Sequence, residues 1–346
     1  MPFRLFFLEF LKGYHVGWRK ASMIVDHTTL LRALASVAYM VDDQFLVNEI
    51  VEGKLATSSL LPSLASADRQ CYRLLTVFPT LPSLVKLSKL GVSWATLPAV
   101  REVLVFVREC VEGGGAPVIV GGGDDFIEIG CGDRSLRLKV VEKIACVDGD
   151  DCRLLGKPRL PLFEKIEEYH NRIDRVTGSA DLFRLEGWKT NTLLWACFKG
   201  SSEALAHVES LLKILGELGL GAYRSRGWGA FRVVEDVKPC DIDGKVLDRN
   251  TGWETGYNLL LGSILPGEPR GWLDESRSFA LPTVIGGIAG PVFEEYRLPL
   301  IRALGVGGLV YAKSKPRARV VWVRTSVPGR GVWIVFNPLV VNSIGS

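Results

Sequence analysis

Arg224 and Arg226 lie two residues apart, with Ser225 between them, inside the segment 216–231, GELGLGAYRSRGWGAF. A guanidinium presents a planar fork of donors that matches phosphate oxygens. Four glycines, Gly219, Gly221, Gly227 and Gly229, bracket this cationic centre. Glycine permits positive φ and lets a partner approach the backbone with no Cβ in the way. Together these residues describe a loop that holds a phosphate backbone, a nucleotide's or an RNA's. A tight turn that ends a helix at Gly219 and binds nothing is the plain alternative, and the pattern alone leaves both open.

A second candidate centre is His15, followed by Arg19 and Lys20. A group titrating near neutrality beside cations could serve as general base in RNA cleavage. The same three residues could equally contact phosphate and sugar, or His15 could be structural. The remaining histidines are His27, His170 and His207, the last expected to face solvent from a helix. No H-x-x-x-H pair and no G-x-x-x-x-G-K-[ST] loop occurs, so no metal or cofactor is expected. Gly305 to Gly308 reads as a turn between strands. Seven cysteines show no C-x-x-C pairing, and Cys146 with Cys152 makes half a zinc site at best. Their odd number, and charges at Arg4, Glu9 and Lys12 that interrupt any leader-like core, favour a reducing cytoplasm.

The elements that must position these groups follow from patterning. The chain has 346 residues, 47% hydrophobic, with 37 glycines, which fits a turn-rich α/β or α+β protein of one large or two medium domains. Its net charge of +4 is unevenly spread. Residues 296–346 carry eight Arg and Lys and no Asp or Glu, the footprint of a polyanion-binding face or of a surface for an acidic protein. The longest uncharged apolar run, 279–293, is broken by Pro282, Pro291 and glycines and is too short to span a bilayer.

Residues 3–11 read as a strand. Asp26 is placed to cap a helix whose Leu30, Leu31, Leu34, Val37 and Ala38 recur at helical spacing. Residues 70–78 read as a second strand and 192–198 as a third. Ser201 or Ser202 then caps a helix bearing Leu205, Val208, Leu211, Leu212, Leu215 and Leu218 on one side, ended by Gly219. Residues 231–234 make a fourth strand. This β, α, β, β, α, β order is ferredoxin-like, with a large insertion between the second and third strands. Within the insertion, 98–110 reads as a helix and 118–120, 126–129 and 136–141 as short strands. A boundary near Pro239 separates a first domain, 1–238, from a β-rich, basic second one, 239–346, with strands at 257–265, 319–324 and 332–336.

The insertion also holds His170, Asn171, Arg172, Ile173, Asp174, Arg175, Val176, Thr177 and Gly178, then Asp181, Leu182 and Phe183. Thr-Gly flanked by β-branched residues suggests a hairpin tip, at about 165–190. An Asp174–Arg pair on a surface hairpin would by itself be worth little.

Three segments, 1–40, 170–183 and 191–235, together resemble the RAMP superfamily of CRISPR proteins. The loop from Gly219 to Phe231 is similar to its glycine-rich signature. The R-x-x-D-R-x-T-G run is similar to the thumb hairpin of the type III-A (Csm) subunit that grips the repeat-derived 5′ handle of CRISPR RNA. Asp26-His27 stands where that group often has Ser-Asp, and Trp228 where another aromatic is common. The resemblance implies an α+β fold of tandem ferredoxin-like (RRM-like) domains with a glycine-rich loop and a thumb hairpin. It implies a non-catalytic, single-stranded RNA-binding subunit that contacts RNA through His15, Arg19, Lys20, Arg172, Arg175, Thr177, Gly221, Arg224, Ser225, Arg226 and Gly227. The implied neighbours are a large polymerase-like subunit and a backbone RAMP subunit. A RAMP endoribonuclease with His15 as base, or the equivalent subunit of a Cmr-type complex, are the alternatives.

Overall fold

The computed structural model describes residues 1–17, 20–85, 91–155, 161–173, 179–266, 271–288, 296–325 and 331–343, with Arg172 and Asp181 as backbone alone. The chain opens with β1 (Phe3–Phe10), α1 (His27–Met40), α2 (Gln44–Val51), β2 (Ala56–Thr57), β3 (Leu61–Ala65) and β4 (Tyr72–Val77). There follow β5 (Trp94–Thr96), α3 (Leu97–Glu112), β6 (Val118–Gly122), β7 (Phe126–Cys131), β8 (Arg134–Val141), β9 (Ile144–Cys146) and the short α4 (Asp150–Arg153). A long hairpin, β10 (Phe163–Ile173) and β11 (Ala180–Thr190), leads into β12 (Leu194–Lys199), α5 (Ser202–Leu218) and β13 (Phe231–Val234).

The ferredoxin unit is the stretch β13-β1-β12-β3 of a larger sheet, with β1 antiparallel to both β12 and β13 and β12 antiparallel to β3. The second strand of that unit is therefore β3, not residues 70–78, which form β4 one position further out. The reason is local. Leu-Pro-Ser-Leu at 61–64 lacks a strict period-2 pattern because both faces of β3 are buried. The sheet continues β4-β5-β9-β8-β7-β6, which accounts for the strands expected in the insertion.

Asp26 caps α1 by accepting the Thr28 N–H at 2.9 Å, and Ser201 caps α5 by accepting that of Ala204 at 3.1 Å. The apolar stripes of both helices lie on one face of the sheet, against Phe6, Leu8, Phe10, Ala196, Phe198 and Phe231. The alternate residues, Phe7, Trp195 and Cys197, point to the opposite face and meet α3.

That opposite core also takes in residues beyond Pro239: Val246 and Leu247 of α6 (Asp241–Asn250), Leu259 of β14 (Gly256–Leu260), and Leu309 and Val341. The C-terminal part is thus packed onto the first ferredoxin sheet through a shared core. It contains β15 (Leu273–Phe279), β16 (Pro282–Ile288), β17 (Arg297–Leu304), β18 (Leu309–Ala312), β19 (Arg319–Arg324), β20 (Gly331–Phe336) and β21 (Val340–Asn342). Four of these strands form a sheet in the order β15-β18-β14-β21, while β16–β17 and β19–β20 are separate hairpins. The glycine turn at 305–308 does join two strands, β17 and β18.

Six cysteines are paired: Cys71–Cys240, Cys110–Cys131 and Cys146–Cys152. Only Cys197, fully buried, is free, and burial pushes the pKa of its thiol up to about 12. The odd count, which in the sequence points to unpaired thiols, in fact hides one core cysteine. Beside the Cys71–Cys240 link, buried Arg73 donates to Asp243 at 2.7 Å and also pairs with Asp151, tying β4 to α6 and α4. No helix of the described residues is long and apolar enough to cross a membrane.

Candidate nucleic-acid interface

Helix α5 stops at Gly219, whose φ is +78°. In the loop that follows, Tyr223 (φ +62°) and Gly227 (φ +76°), both left-handed, flank a single 3-10 turn, Arg224–Arg226. Arg224, Ser225, Arg226 and Gly227 are all exposed. A tyrosine at positive φ is strained, and such strain concentrates where a backbone shape serves a function.

The loop is stitched to the N-terminal segment by backbone. Leu11 N–H donates to Ala230 O at 3.0 Å, Gly229 N–H to Gly13 O at 2.9 Å, and Ala222 N–H to His15 O at 2.8 Å. These contacts require bare glycine. A Cβ on Gly221 would stand 2.3 Å from His15 O, and one on Gly229 would stand 2.0 Å from Leu220 O.

The same N-terminal segment is stitched on its other side to the base of the β10–β11 hairpin. Tyr14 and Trp188 exchange backbone hydrogen bonds of 2.9 and 3.0 Å, and the Trp188 indole N–H donates to Ala21 O at 2.9 Å. Gly187 makes room for the ring of Trp228, which a Cβ would approach to 2.3 Å. Residues 11–16 are therefore a shared seam between the glycine loop and the hairpin, and the three segments singled out in the sequence meet in space.

His15 lies in that seam and is 7% exposed. Its Nδ1 is 2.7 Å from Glu186 O, and since a carbonyl only accepts, Nδ1 is the donor in this contact. The ring stands edge-on to Tyr223, 5.3 Å between centroids. Burial and these contacts make His15 a brace that sets the Tyr223 turn and so the pitch of Arg224 and Arg226.

One face of the hairpin looks toward the loop. On it, Glu168 accepts from Lys12 Nζ (2.9 Å to one oxygen, 3.2 Å to the other) and from the Trp228 indole N–H at 3.2 Å, with His170 Nε2 at 3.3 Å. These partners, Lys12 foremost, hold the Glu168 carboxyl below the usual carboxylate range. Next along the face, His170 and Phe183 are cross-strand partners with stacked rings 5.8 Å apart. The Arg226 guanidinium lies over Phe183, 4.9 Å from its centroid. A guanidinium held by its flat face keeps its in-plane N–H donors available, so the contact orients the fork without consuming it.

Phe183, His170, Lys12 and Glu168 are not among the contacts expected from the sequence. Phe183 meets His170 only through the register of the β10–β11 pairing, thirteen positions apart in the chain, and no local pattern fixes that register.

Of the expected contacts, Lys20 is exposed in the loop that returns from Gly17. Arg19, Arg175 and Thr177 lie outside the described residues, as does the side chain of Arg172, whose backbone pairs with Asp181 near the end of β10. His207 does not simply face solvent: its Nδ1 is 2.7 Å from Asp43 Oδ2 and its ring packs on Phe45. No group of three or more His, Cys, Asp or Glu placed to hold a metal occurs among the described residues.

The architecture is a ferredoxin-like sheet with a glycine-rich loop after its second helix and a hairpin inserted before its third strand. Residues 151–232, which span the hairpin, α5 and the loop, match the RAMP superfamily. Among solved structures, the chain is similar to a chain of the Csm3–Csm4 subcomplex of the type III-A CRISPR–Cas interference complex, at 17% identity and a TM-score of 0.55, covering 96% of this chain and 99% of that one. Looser likenesses are to the Csm1–Csm4 cassette in complex with pppApA (11% identity, TM-score 0.42, 96% and 94% covered) and to the type III-B Cmr-beta complex bound to cognate target RNA and AMPPnP (13%, 0.44, 90% and 86%). No curated protein sequence matches significantly.

Proposed function

We propose that this chain is a non-catalytic RAMP subunit of a type III CRISPR effector complex that binds single-stranded RNA and holds the repeat-derived 5′ handle of CRISPR RNA. The observation that carries the reading is the seam at residues 11–16, which holds the exposed Arg224–Arg226 turn against the aromatic face of the hairpin. Arginine forks, a hydroxyl at Ser225 and bare backbone suit phosphate and ribose. The partners in this reading are CRISPR RNA, a large polymerase-like subunit and a backbone RAMP subunit. The setting is cytoplasmic. Three disulfides accord with that where intracellular proteins are disulfide-rich, as in hyperthermophiles.

The test is RNA binding against salt. Affinity for a handle-bearing RNA should fall steeply with salt, by roughly 0.7 log units per log of salt for each phosphate neutralised. An Arg224→Ala, Arg226→Ala pair should flatten that slope by about two contacts and weaken binding to all sequences. Wild-type affinity in the pair would refute the site. Repeat-containing RNA should stay intact with or without divalent metal; specific cleavage lost in His15→Ala would establish the endoribonuclease reading instead.

A further inference from the structure

Two tryptophans of the last hairpin take no part in the site described above. Trp322 of β19 and Trp333 of β20 are directly paired across the strands, their ring centroids 4.3 Å apart with planes at 49°. Strand alternation divides the hairpin into two faces. Val323, Val332, Ile334 and Phe336 point into a small core shared with β16 and β17. On the other face, Val320 and Val335 pack into the core beneath α1, but Trp322 and Trp333, next along, remain 42% and 37% exposed. The Trp322 indole lies against bare backbone at Gly331, where a Cβ would stand 2.3 Å from the ring. The ring is thus braced by Gly331 and by Trp333, which leaves it little freedom to fold away.

The charge in this C-terminal segment of the sequence has one sign. Arg324 follows Trp322 by two residues and so shares its face, roughly 7 Å along the strand. It is exposed and forms no ion pair among the described residues. From residue 296 onward the sequence holds eight Arg and Lys and no carboxylate side chain.

We propose that Trp322 and Trp333 form a stacking platform for bases of a single RNA strand, with Arg324 taking the neighbouring phosphate, as a second RNA contact separate from the glycine loop. Every base offers a π-face, so such a platform binds without reading sequence, and a cationic rim supplies the backbone term. A protein docking face is less well matched, because a tryptophan pair rimmed by an arginine without an ion pair, with no carboxylate in the segment, complements a polyanion. The inference rests on the chain being an RNA binder, but not on the handle assignment.

The experiment uses the full chain with a 12-nucleotide oligouridylate, and the same strand annealed to its complement. In ultraviolet crosslinking, adducts are expected on the peptide carrying Trp322 or Trp333 with the single strand and not with the duplex, and they should persist in the Arg224→Ala, Arg226→Ala protein. The latter condition separates failure of this platform from failure of the glycine-loop site. Trp322→Ala with Trp333→Ala should weaken single-strand affinity about tenfold to a hundredfold, while Trp322→Phe with Trp333→Phe should retain most of it. Arg324→Ala should lower the salt slope by roughly 0.7. Unchanged affinity in the alanine pair, absence of adducts on that hairpin, or loss of a co-purifying protein with RNA binding intact would each overturn the proposal, the last in favour of a protein interface.

Discussion

The Arg226 guanidinium sits 4.9 Å from the centroid of the Phe183 ring, so a residue of the glycine loop is positioned by a residue of the hairpin that precedes α5. Neither element alone sets the direction of that cation. The two are also tied through the shared seam, where Gly13 and His15 bond the loop and Tyr14 bonds the hairpin.

Coupling between the two residues should be measurable. Arg226→Ala and Phe183→Ala should each weaken RNA binding. Combined, they should cost less than the sum of the two, by about 0.5–1 kcal/mol, because each single change already breaks the same contact. Strict additivity in a titration of the four proteins would mean that Phe183 does not position Arg226.

The glycines of the loop should divide by environment rather than by number. Gly229→Ala places a Cβ 2.0 Å from Leu220 O at φ +75°, and Gly221→Ala places one 2.3 Å from His15 O at φ +96°. Both should displace the loop and reduce RNA affinity as strongly as loss of the arginines. Gly227, also at positive φ, has nothing within 4 Å of where a Cβ would stand, so Gly227→Ala should cost only about 1 kcal/mol of backbone strain. Equal effects at all three positions, in thermal unfolding and in binding, would show that conformation and not close approach is what matters.

The buried Arg73 site makes a pH prediction of unusual sign. Burial pushes Asp243 up to about 6 against the pull of Arg73, which stays cationic between two carboxylates. A folded value above the ordinary 3.8 means that the folded state binds the proton more tightly. The stability this confers is fully present below about 4 and is lost as pH rises toward 6. Asp243→Asn imitates the protonated form and should gain stability relative to wild type across that interval, read from denaturant midpoints at about pH 4, 5, 6 and 7. A wild type that gains on the variant over the same range would mean that Arg73 keeps Asp243 ionised.

Much of this is legible in the sequence where local rules govern. Asp26, Ser201 and Gly219 mark helix ends through their own side chains or lack of one, and β1, β12, α5 and β13 show clean periodicity. The second strand is misplaced by pattern alone because β3 is buried on both faces and carries Pro62, while β4 looks more strand-like but sits further out. What long-range pairing decides is not legible: the Cys71–Cys240 link across 169 residues, the core shared across Pro239, and the meeting of Phe183 with Arg226. The Arg-Ser-Arg loop is visible, but its aromatic counterpart is not, since no sequence rule brings β11 to the loop.

The hairpin offers the last prediction. Strands β10 and β11 pair in unbroken register over eleven residues each, so the hairpin extends roughly 35 Å from Phe163 to Ile173. Its base is fixed by Tyr14, Trp188 and Trp228, whereas Tyr169, Ile173 and Leu182 further out are 63%, 65% and 68% exposed. Exposed apolar groups beyond a fixed base suit an element that reaches across a bound strand. The resemblance to a thumb hairpin implies that it would mark the junction of handle and guide and turn one nucleotide out of the stack. Unstacking costs a few kcal/mol, which contacts from Arg172 and Arg175 and apolar cover from Ile173 must offset. Deleting residues 172–178 and closing the strands with a short turn leaves the base, and with it the glycine loop, in place. Affinity for generic single-stranded RNA should then change little, while handle placement or assembly with partner subunits fails. Chemical probing of the nucleotide at the junction reads the difference directly: it should be reactive with the intact hairpin and protected by stacking without it. Equal reactivity in the two proteins would reduce the outer hairpin to a surface projection with no part in splaying the RNA.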